Sequence, residues 1–197
     1  MSERKPYIVF LNGPPRSGKD TVARTITHMV SSARVLKMAD PLKSASHVLL
    51  GVNPQPDAYE LQKDKRLHEF EGYSPREFYI RLSEEFIKPS FDDRFFGRVA
   101  VIKMLQKLRM SCISLFVIAD SGFWSEAQPI IEEFGIDHCL LVHLFRPDTD
   151  FKKDSRSYWQ DPALKTVVFN NHTNMALLPD NIEKNLLNHL PKEALTW

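Results

Sequence analysis

The sequence predicts an α/β fold in three layers: a parallel sheet of about five strands between two layers of helices. Two observations predict it. Short runs that are apolar at every position, rather than at alternate ones, recur along the chain. That is the pattern of strands buried on both faces. Stretches with apolar residues three and four apart separate them, as helical crossovers between parallel strands require.

Taken in order, Tyr7 to Leu11 (YIVFL) is the first strand, bounded by turn residues. A Gly/Pro turn covers Asn12 to Gly18. From Lys19, the residues Val22, Ile26, Met29, Val30 and Ala33 share one helix face. Arg34 to Met38 is the second strand, closed by Ala39-Asp40-Pro41. The segment from about 41 to 110 reads as a less regular helical insertion. Within it, Ser74-Pro75-Arg76-Glu77 is a capping box with proline at the first helical position, so a helix starts there. Val99, Ile102, Leu105 and Leu108 mark another helix. Ile113 to Ala119 is the third strand. Ser125 to Gln128 is a second S-x-x-Q cap, with Pro129 in the first turn and Gly135 ending the helix. His138 to Phe145 is the fourth strand, and a polar, basic stretch runs from Arg146 to about Pro162. Lys165 to Phe169 is the fifth strand, and a last helix carries Ile182, Leu186 and Leu190.

At 197 residues the chain is expected to form one domain, 1–197, able to bury about 70% of its unfolded surface without disulfides or metals. Lys and Arg number 26 against 25 Asp and Glu. This balance does not suggest a duplex-binding protein. Cys112 and Cys139 lie in apolar runs and match no metal or redox spacing, so both read as buried small hydrophobes in a reducing compartment. The longest apolar stretches are too short to span a bilayer. The N-terminus, MSERKPYIVF, lacks the apolar core of a signal peptide. The expectation is a cytoplasmic protein with neither membrane nor nucleic acid as partner, monomer or homodimer being left open.

Ligands of parallel sheets bind at the carboxyl ends of the strands. After the first strand comes Gly13-Pro14-Pro15-Arg16-Ser17-Gly18-Lys19-Asp20-Thr21. This is G-x-x-x-x-G-K between a buried strand and an amphipathic helix, the context of a phosphate-binding loop. Its glycines let backbone N–H groups turn inward, the helix adds the positive end of its dipole, and the lysine reaches the β- and γ-phosphates. Asp20 stands where a magnesium-binding hydroxyl usually stands. It could hold Mg2+ directly or through water, or simply be a favourable anion in the first helical turn. Thr21 offers a hydroxyl to a phosphate. Asp120, directly after the third strand, fits a second magnesium-associated position. Arg146, Lys152, Lys153 and Arg156 follow the fourth strand. They read as a basic lid over ATP, at about 146–162, with the two arginines foremost as bidentate phosphate ligands.

The insertion would recognise an acceptor. Arg76, Arg81 and Lys88 lie on one predicted helix, with Arg81 and Glu85 spaced as an ion pair. Lys63 to Arg66 reads as a solvated, mixed-charge turn. Tyr73, Phe78, Tyr79, Phe86, Phe91, Phe95 and Phe96 are dense here. Most read as core, with one or two able to stack on a base. The seven histidines show no pairing or metal spacing and receive no role.

GPPRSGKDTVA, MADPLK, SPREFYIRLSEEF and VIADSGFWSEA, in that order, resemble the deoxynucleoside monophosphate kinases of large phages, P-loop kinases related to adenylate kinase. The resemblance spans about 10–190. It implies a P-loop NTPase fold and transfer of the ATP γ-phosphoryl group to a deoxynucleoside 5′-monophosphate, with Mg2+ as cofactor. It also implies ATP contacts from Gly13, Arg16, Ser17, Gly18, Lys19, Asp20 and Thr21, with Asn170 and Asn171 bordering the adenine. Asp40, Lys43, Arg76, Lys88 and Asp120 would face the acceptor, and Lys19, Arg146 and Arg156 would serve catalysis. The chain departs from the family at Gly122, where an arginine is frequent, at Ser83-Glu84-Glu85, and at Lys88, which replaces an arginine. These changes touch the acceptor half only. Other readings are a phosphomevalonate, dephospho-coenzyme A or shikimate-type kinase, a nucleic-acid end kinase, and a non-catalytic ATP-binding module.

Overall fold

The computed structural model describes residues 5–152, 154, 156–171 and 174–196; Lys153 lies outside them. Five parallel strands form one sheet in the order β2-β3-β1-β4-β5. They are β1 (Tyr7–Asn12), β2 (Ala33–Leu36), β3 (Leu115–Ile118), β4 (Cys139–Phe145) and β5 (Thr166–Asn170). Helices α1 (Lys19–Met29) and α2 (Asp40–Leu49) flank β2 in sequence. The insertion continues through α3 (Pro75–Arg81), a π turn (Leu82–Ile87) and α4 (Lys88–Ser90) to α5 (Phe95–Met110). Then follow α6 (Trp124–Phe134), α7 (Leu178–Asn185) and α8 (Lys192–Leu195).

The all-apolar strands divide their side chains between two cores, as the two-residue period dictates. Val9 and Leu11 face one way, with Val22 and Ile26 of α1 and Ile182 of α7. Ile8 and Phe10 face the other, with Ala100 and Met104 of α5 and Ala127 and Ile130 of α6. Central β1 is wholly buried from Ile8 to Asn12. The loop that follows it therefore leaves the middle of the sheet. Among the described residues, no helix is long and apolar enough to cross a membrane.

The strands agree with expectation to within two residues at either end. Several other expectations are corrected. Cys112 is exposed, because it lies in the turn before β3 rather than in the buried run. α6 starts at Trp124 with Phe123 as its cap residue and no side-chain cap, so Ser125 is not the cap and Pro129 lies inside the helix. The last helix stops at Asn185. Leu186 leaves the helical region (φ −132°, ψ −60°), and a short 3-10 turn (Leu187–His189) follows. Of Tyr73, Phe78, Tyr79, Phe86, Phe91, Phe95 and Phe96, only Phe96 is buried. The hub there is Phe70, whose ring meets those of His47, Tyr59, Phe78 and Tyr79.

Candidate active site

The turn after β1 gathers the start of α1, a buried hydroxyl and a lysine. Gly18 precedes α1 in the left-handed region (φ +93°) and provides no side-chain cap, so the first N–H groups of the helix have no side-chain acceptor. Arg16 is also left-handed (φ +66°). Close packing enforces two glycines. A Cβ on Gly13 would sit 2.8 Å from the Leu144 carbonyl oxygen. One on Gly18 would overlap the Asn171 side-chain nitrogen. Among the described residues, the buried Ser17 Oγ has no hydrogen-bond partner.

Lys19 is turned back on this loop. Its Nζ donates to the carbonyls of Gly13 (2.6 Å) and Pro14 (2.8 Å). Its pKa is lowered to about 8, by burial first and then by the positive charge of Arg156, against Asp20, Asp154 and Asp120. Asp20 pairs with Lys37 of the β2–α2 turn at 2.9 Å. Thr21 is half-buried in the first turn of α1.

Neighbouring strand ends brace the loop. Asn171 Nδ2 donates to the Ser17 carbonyl (2.7 Å), and Arg146 Nη1 donates to the Arg16 carbonyl (3.3 Å). Asn171 therefore props the loop itself, while Asn170 is exposed on the β5 edge. Asp120 Oδ1 and Oδ2 accept the N–H groups of Met38 (2.8 Å) and Ala39 (2.9 Å), which ties the end of β3 to the start of α2. Burial raises the pKa of Asp120, against those two hydrogen bonds.

The acceptor-side residues divide. Asp40, at the start of α2, has a buried Oδ1 without a partner. Its pKa is raised by burial and then by the charge of Asp120. Lys43 lies 3.4 Å from Glu60. Lys88 is nearly buried, 2.8 Å from Glu84, 3.8 Å from Glu126 and over the Phe123 ring at 4.2 Å. Arg76 is elsewhere: its Nε is held by Asp64 at 2.6 Å on the insertion surface. Asp120 links the two sides of the site: its charge acts on Lys19, Asp40, Arg156 and Glu126, and Glu126 lies 3.8 Å from Lys88.

Three groups escaped the sequence reading. Asn12 is fully buried. Its Nδ2 donates to the carbonyls of Ser121 (2.9 Å) and Ser157 (3.1 Å), and its Oδ1 accepts from Trp159 N (3.3 Å). It thus joins three strand-end loops; a polar residue closing an apolar run was the only signal. Glu126, also buried, has its pKa pushed up to about 7 by burial, against the attraction of Lys88. Asp154 holds Arg156 in a two-point grip. The basic stretch after β4 is itself divided. From Ser157 onward it lies on the sheet, with Trp159 buried against Phe10 and the Tyr158 hydroxyl donating to the Leu144 carbonyl (2.7 Å).

No family model and no curated protein matches the chain. Solved structures do. A sugar kinase from Janibacter sp. HTCC2649, unliganded, aligns with a TM-score of 0.53 at 14% identity over 96% of this chain and 98% of that one. The two share an α/β architecture, a parallel sheet flanked by helices, which is consistent with a P-loop NTPase fold. At this identity the likeness carries the architecture and nothing of the substrate. TT1252 from Thermus thermophilus (TM-score 0.44, 17% identity, 95% and 100% covered) and thymidylate kinase from Candida albicans (0.37, 12%, 94% and 91%) also align, and at those scores add nothing to it.

Proposed function

We propose that this P-loop protein is an ATP-dependent kinase that transfers the γ-phosphoryl group to a deoxynucleoside 5′-monophosphate. The observation that carries the reading is the turn after β1: an uncapped helix start, an unpartnered Ser17 Oγ and a lysine satisfied only by the loop's own carbonyls. Each of these groups can take a phosphate oxygen as its partner.

In this reading Gly13, Arg16, Ser17, Gly18 and Thr21 line the triphosphate, and Lys19 leaves the Gly13 and Pro14 carbonyls to contact its β- and γ-groups. Magnesium favours oxygen ligands and arrives largely hydrated on phosphates. Asp20, more than half exposed and paired only with Lys37, fits such an ion. Asp120 fits through water, since both its oxygens already accept backbone N–H groups. The ion would neutralise phosphate charge. Arg156 and Arg146 approach from the loop after β4, where residues 146–156 serve as the lid. Asn171 keeps the loop in shape, with Asn170 beside the adenine. Asp40, Lys43 and Lys88 face the acceptor from the insertion, 41–110. Arg76 joins them only by leaving Asp64. An acceptor phosphate is already anionic, so positioning and charge neutralisation suffice without a strong base.

Asp40 supports a second reading. An unpartnered carboxylate oxygen with raised proton affinity would suit a hydroxyl acceptor, which must lose a proton. One assay separates the two: ADP formation from Mg-ATP with each common deoxy- and ribonucleoside monophosphate, then with sugar and alcohol acceptors. Acceleration by one or a few deoxynucleoside monophosphates is expected. Acceleration only by hydroxyl acceptors would replace the first reading with the second. ATP binding without acceleration by any acceptor would leave a nucleotide-binding module.

A further inference from the structure

A cation beside the proposed phosphate loop is already occupied: Arg156 precedes Ser157, whose carbonyl accepts from Asn12 at the start of that loop (3.1 Å). Arg156 Nε donates to Asp154 Oδ1 at 2.7 Å and Nη2 donates to Oδ2, while the Arg156 backbone N donates to the same Oδ1 at 3.0 Å. Two parallel N–H···O bonds from a guanidinium to a carboxylate have the geometry of a guanidinium on a phosphate. The grip is sheltered: the Asp154 side chain is about one-tenth exposed and that of Arg156 about one-quarter. Burial alone would raise the pKa of Asp154, but the hydrogen bonds and charge of Arg156 hold it below the usual carboxylate range.

The position is specific. The stem of Arg156 crosses Gly122 so closely that a Cβ there would overlap its Cδ and Cγ. Residue 122 therefore has no side chain because another residue's side chain lies over it. The guanidinium is near enough to Lys19 for its charge to depress the lysine's proton affinity, and Asp154 acts in the opposite sense on the same ammonium. Arg156 thus shares the phosphate-binding field with Lys19, and Asp154 balances both.

We propose that Asp154 is an internal stand-in for phosphate, holding Arg156 in the nucleotide-free protein and releasing it when a nucleotide phosphate enters. Asp154 occupies the Nε–Nη2 edge, and a phosphate oxygen taken on that same edge would meet the carboxylate, so binding there parts the pair. Asp154 thereby weakens nucleotide binding by the fraction of time it retains Arg156, the cost of a binding-competent state that is only partly populated. It also keeps the two facing cations, Lys19 and Arg156, from repelling each other in the empty loop. The inference rests on the proposed phosphate loop, and adds to it a residue that tunes affinity without touching substrate.

The test is the affinity for Mg-ADP, measured by calorimetry at fixed ionic strength, in the wild-type chain and four variants. Asp154→Asn is expected to bind about tenfold more tightly. Asp154→Glu, which keeps the charge, should stay near wild type. Arg156→Met should bind more weakly, and Asp154→Asn combined with Arg156→Met should match Arg156→Met alone. Thermal melting checks that each variant folds. Unchanged or weaker binding by folded Asp154→Asn overturns the inference and leaves the phosphate loop intact. So does a gain that persists without Arg156. Failure of the wild type and of Asp154→Asn to bind any nucleotide overturns the proposed function, and the inference with it.

Discussion

The loop after β1 and the insertion between α2 and α5 are held by different kinds of contact. Around the loop, buried polar atoms from distant strand ends meet the backbone: Asn12 with Ser121 and Ser157, Asn171 with Ser17, Asp120 with Met38 and Ala39. In the insertion, exposed side chains mostly meet each other: Arg76 with Asp64, Arg81 with Glu85, Lys63 with Glu60. Buried hydrogen bonds to backbone fix geometry, because breaking one strands a desolvated partner. Surface pairs cost little to break. The molecule therefore has a rigid half around the proposed phosphate loop and a second half, the proposed acceptor side, whose charged groups can exchange partners.

The largest contrast should be in turnover. Lys19→Ala is expected to lower phosphoryl transfer by about 10³-fold, the scale of losing a charge-stabilising contact, with folding retained. Arg76→Ala, on the insertion surface, should raise the acceptor KM far more than it lowers kcat. Full activity in folded Lys19→Ala would remove the loop from the mechanism. The lysine should also show in the pH profile. Its pKa of about 8 means the free protein loses the ammonium as pH rises through 8. The kcat/KM for ATP should fall above that pH, while kcat, measured with phosphate bound beside the amine, holds to higher pH. The protein's stability runs the other way. Between about 8 and 10.5 the unfolded chain binds the proton that folded Lys19 has shed, so this group adds stability as pH rises across that window.

Next in size is a pair of glycine substitutions. Gly18 and Gly72 are both left-handed, at φ +93° and +79°. Gly18→Ala adds a collision with Asn171 to the backbone strain, whereas a Cβ on Gly72 meets nothing within 4 Å. Gly72→Ala should cost about 1–2 kcal/mol, the strain alone. Gly18→Ala should cost more than that and also weaken nucleotide binding. Equal costs in denaturant titrations would erase the distinction between the two halves.

Glu126 marks the seam between them, facing Lys88 and Glu84 of the insertion and Asp120 and Arg156 of the phosphate half. Folded Glu126 keeps its proton to about pH 7, mainly through burial, while the unfolded chain releases it near 4.5. The folded state binds more protons in that window, so this group's contribution to stability falls as pH rises from 4.5 to 7. Glu126→Gln should be stabilised relative to wild type by on the order of 1–3 kcal/mol more at pH 7.5 than at pH 5. Melting curves that shift equally at both pH values would show that Glu126 does not titrate there.

The same contrast explains what the sequence reveals. Five buried strands leave five apolar runs, so the sheet is legible, and the glycine-lysine pattern proposed as a phosphate loop lies between β1 and α1. The capping box at Ser74 is legible too, and both of its hydrogen bonds form. The π turn at 82–87 is not, because it answers to context: Pro89 has no N–H to give the preceding turn. Trp159 reads as part of a polar stretch, yet it is anchored through Asn12, 147 residues away. Asp154 and Glu126 resemble any solvated acid until the fold buries them beside Arg156 and Lys88. Local patterns report local structure; partners brought together by the sheet leave no spacing to read.

The smallest effect belongs to the insertion's surface. Arg81 donates to Glu85 at 3.2 Å and lies over the Tyr73 ring at 4.7 Å, with all three side chains open to solvent. Arg81→Ala removes the ion pair and the cation–ring contact together. Solvent screens the first, and the second is weak where water reaches both partners. The melting midpoint should stay within experimental error at moderate salt. The acceptor KM is the more sensitive readout: if Arg81 only decorates the helix, it too stays constant. A raised KM at unchanged stability would show that acceptor binding draws Arg81 away from Glu85, and would extend the partner-exchanging surface from Lys88 back to the first helix of the insertion.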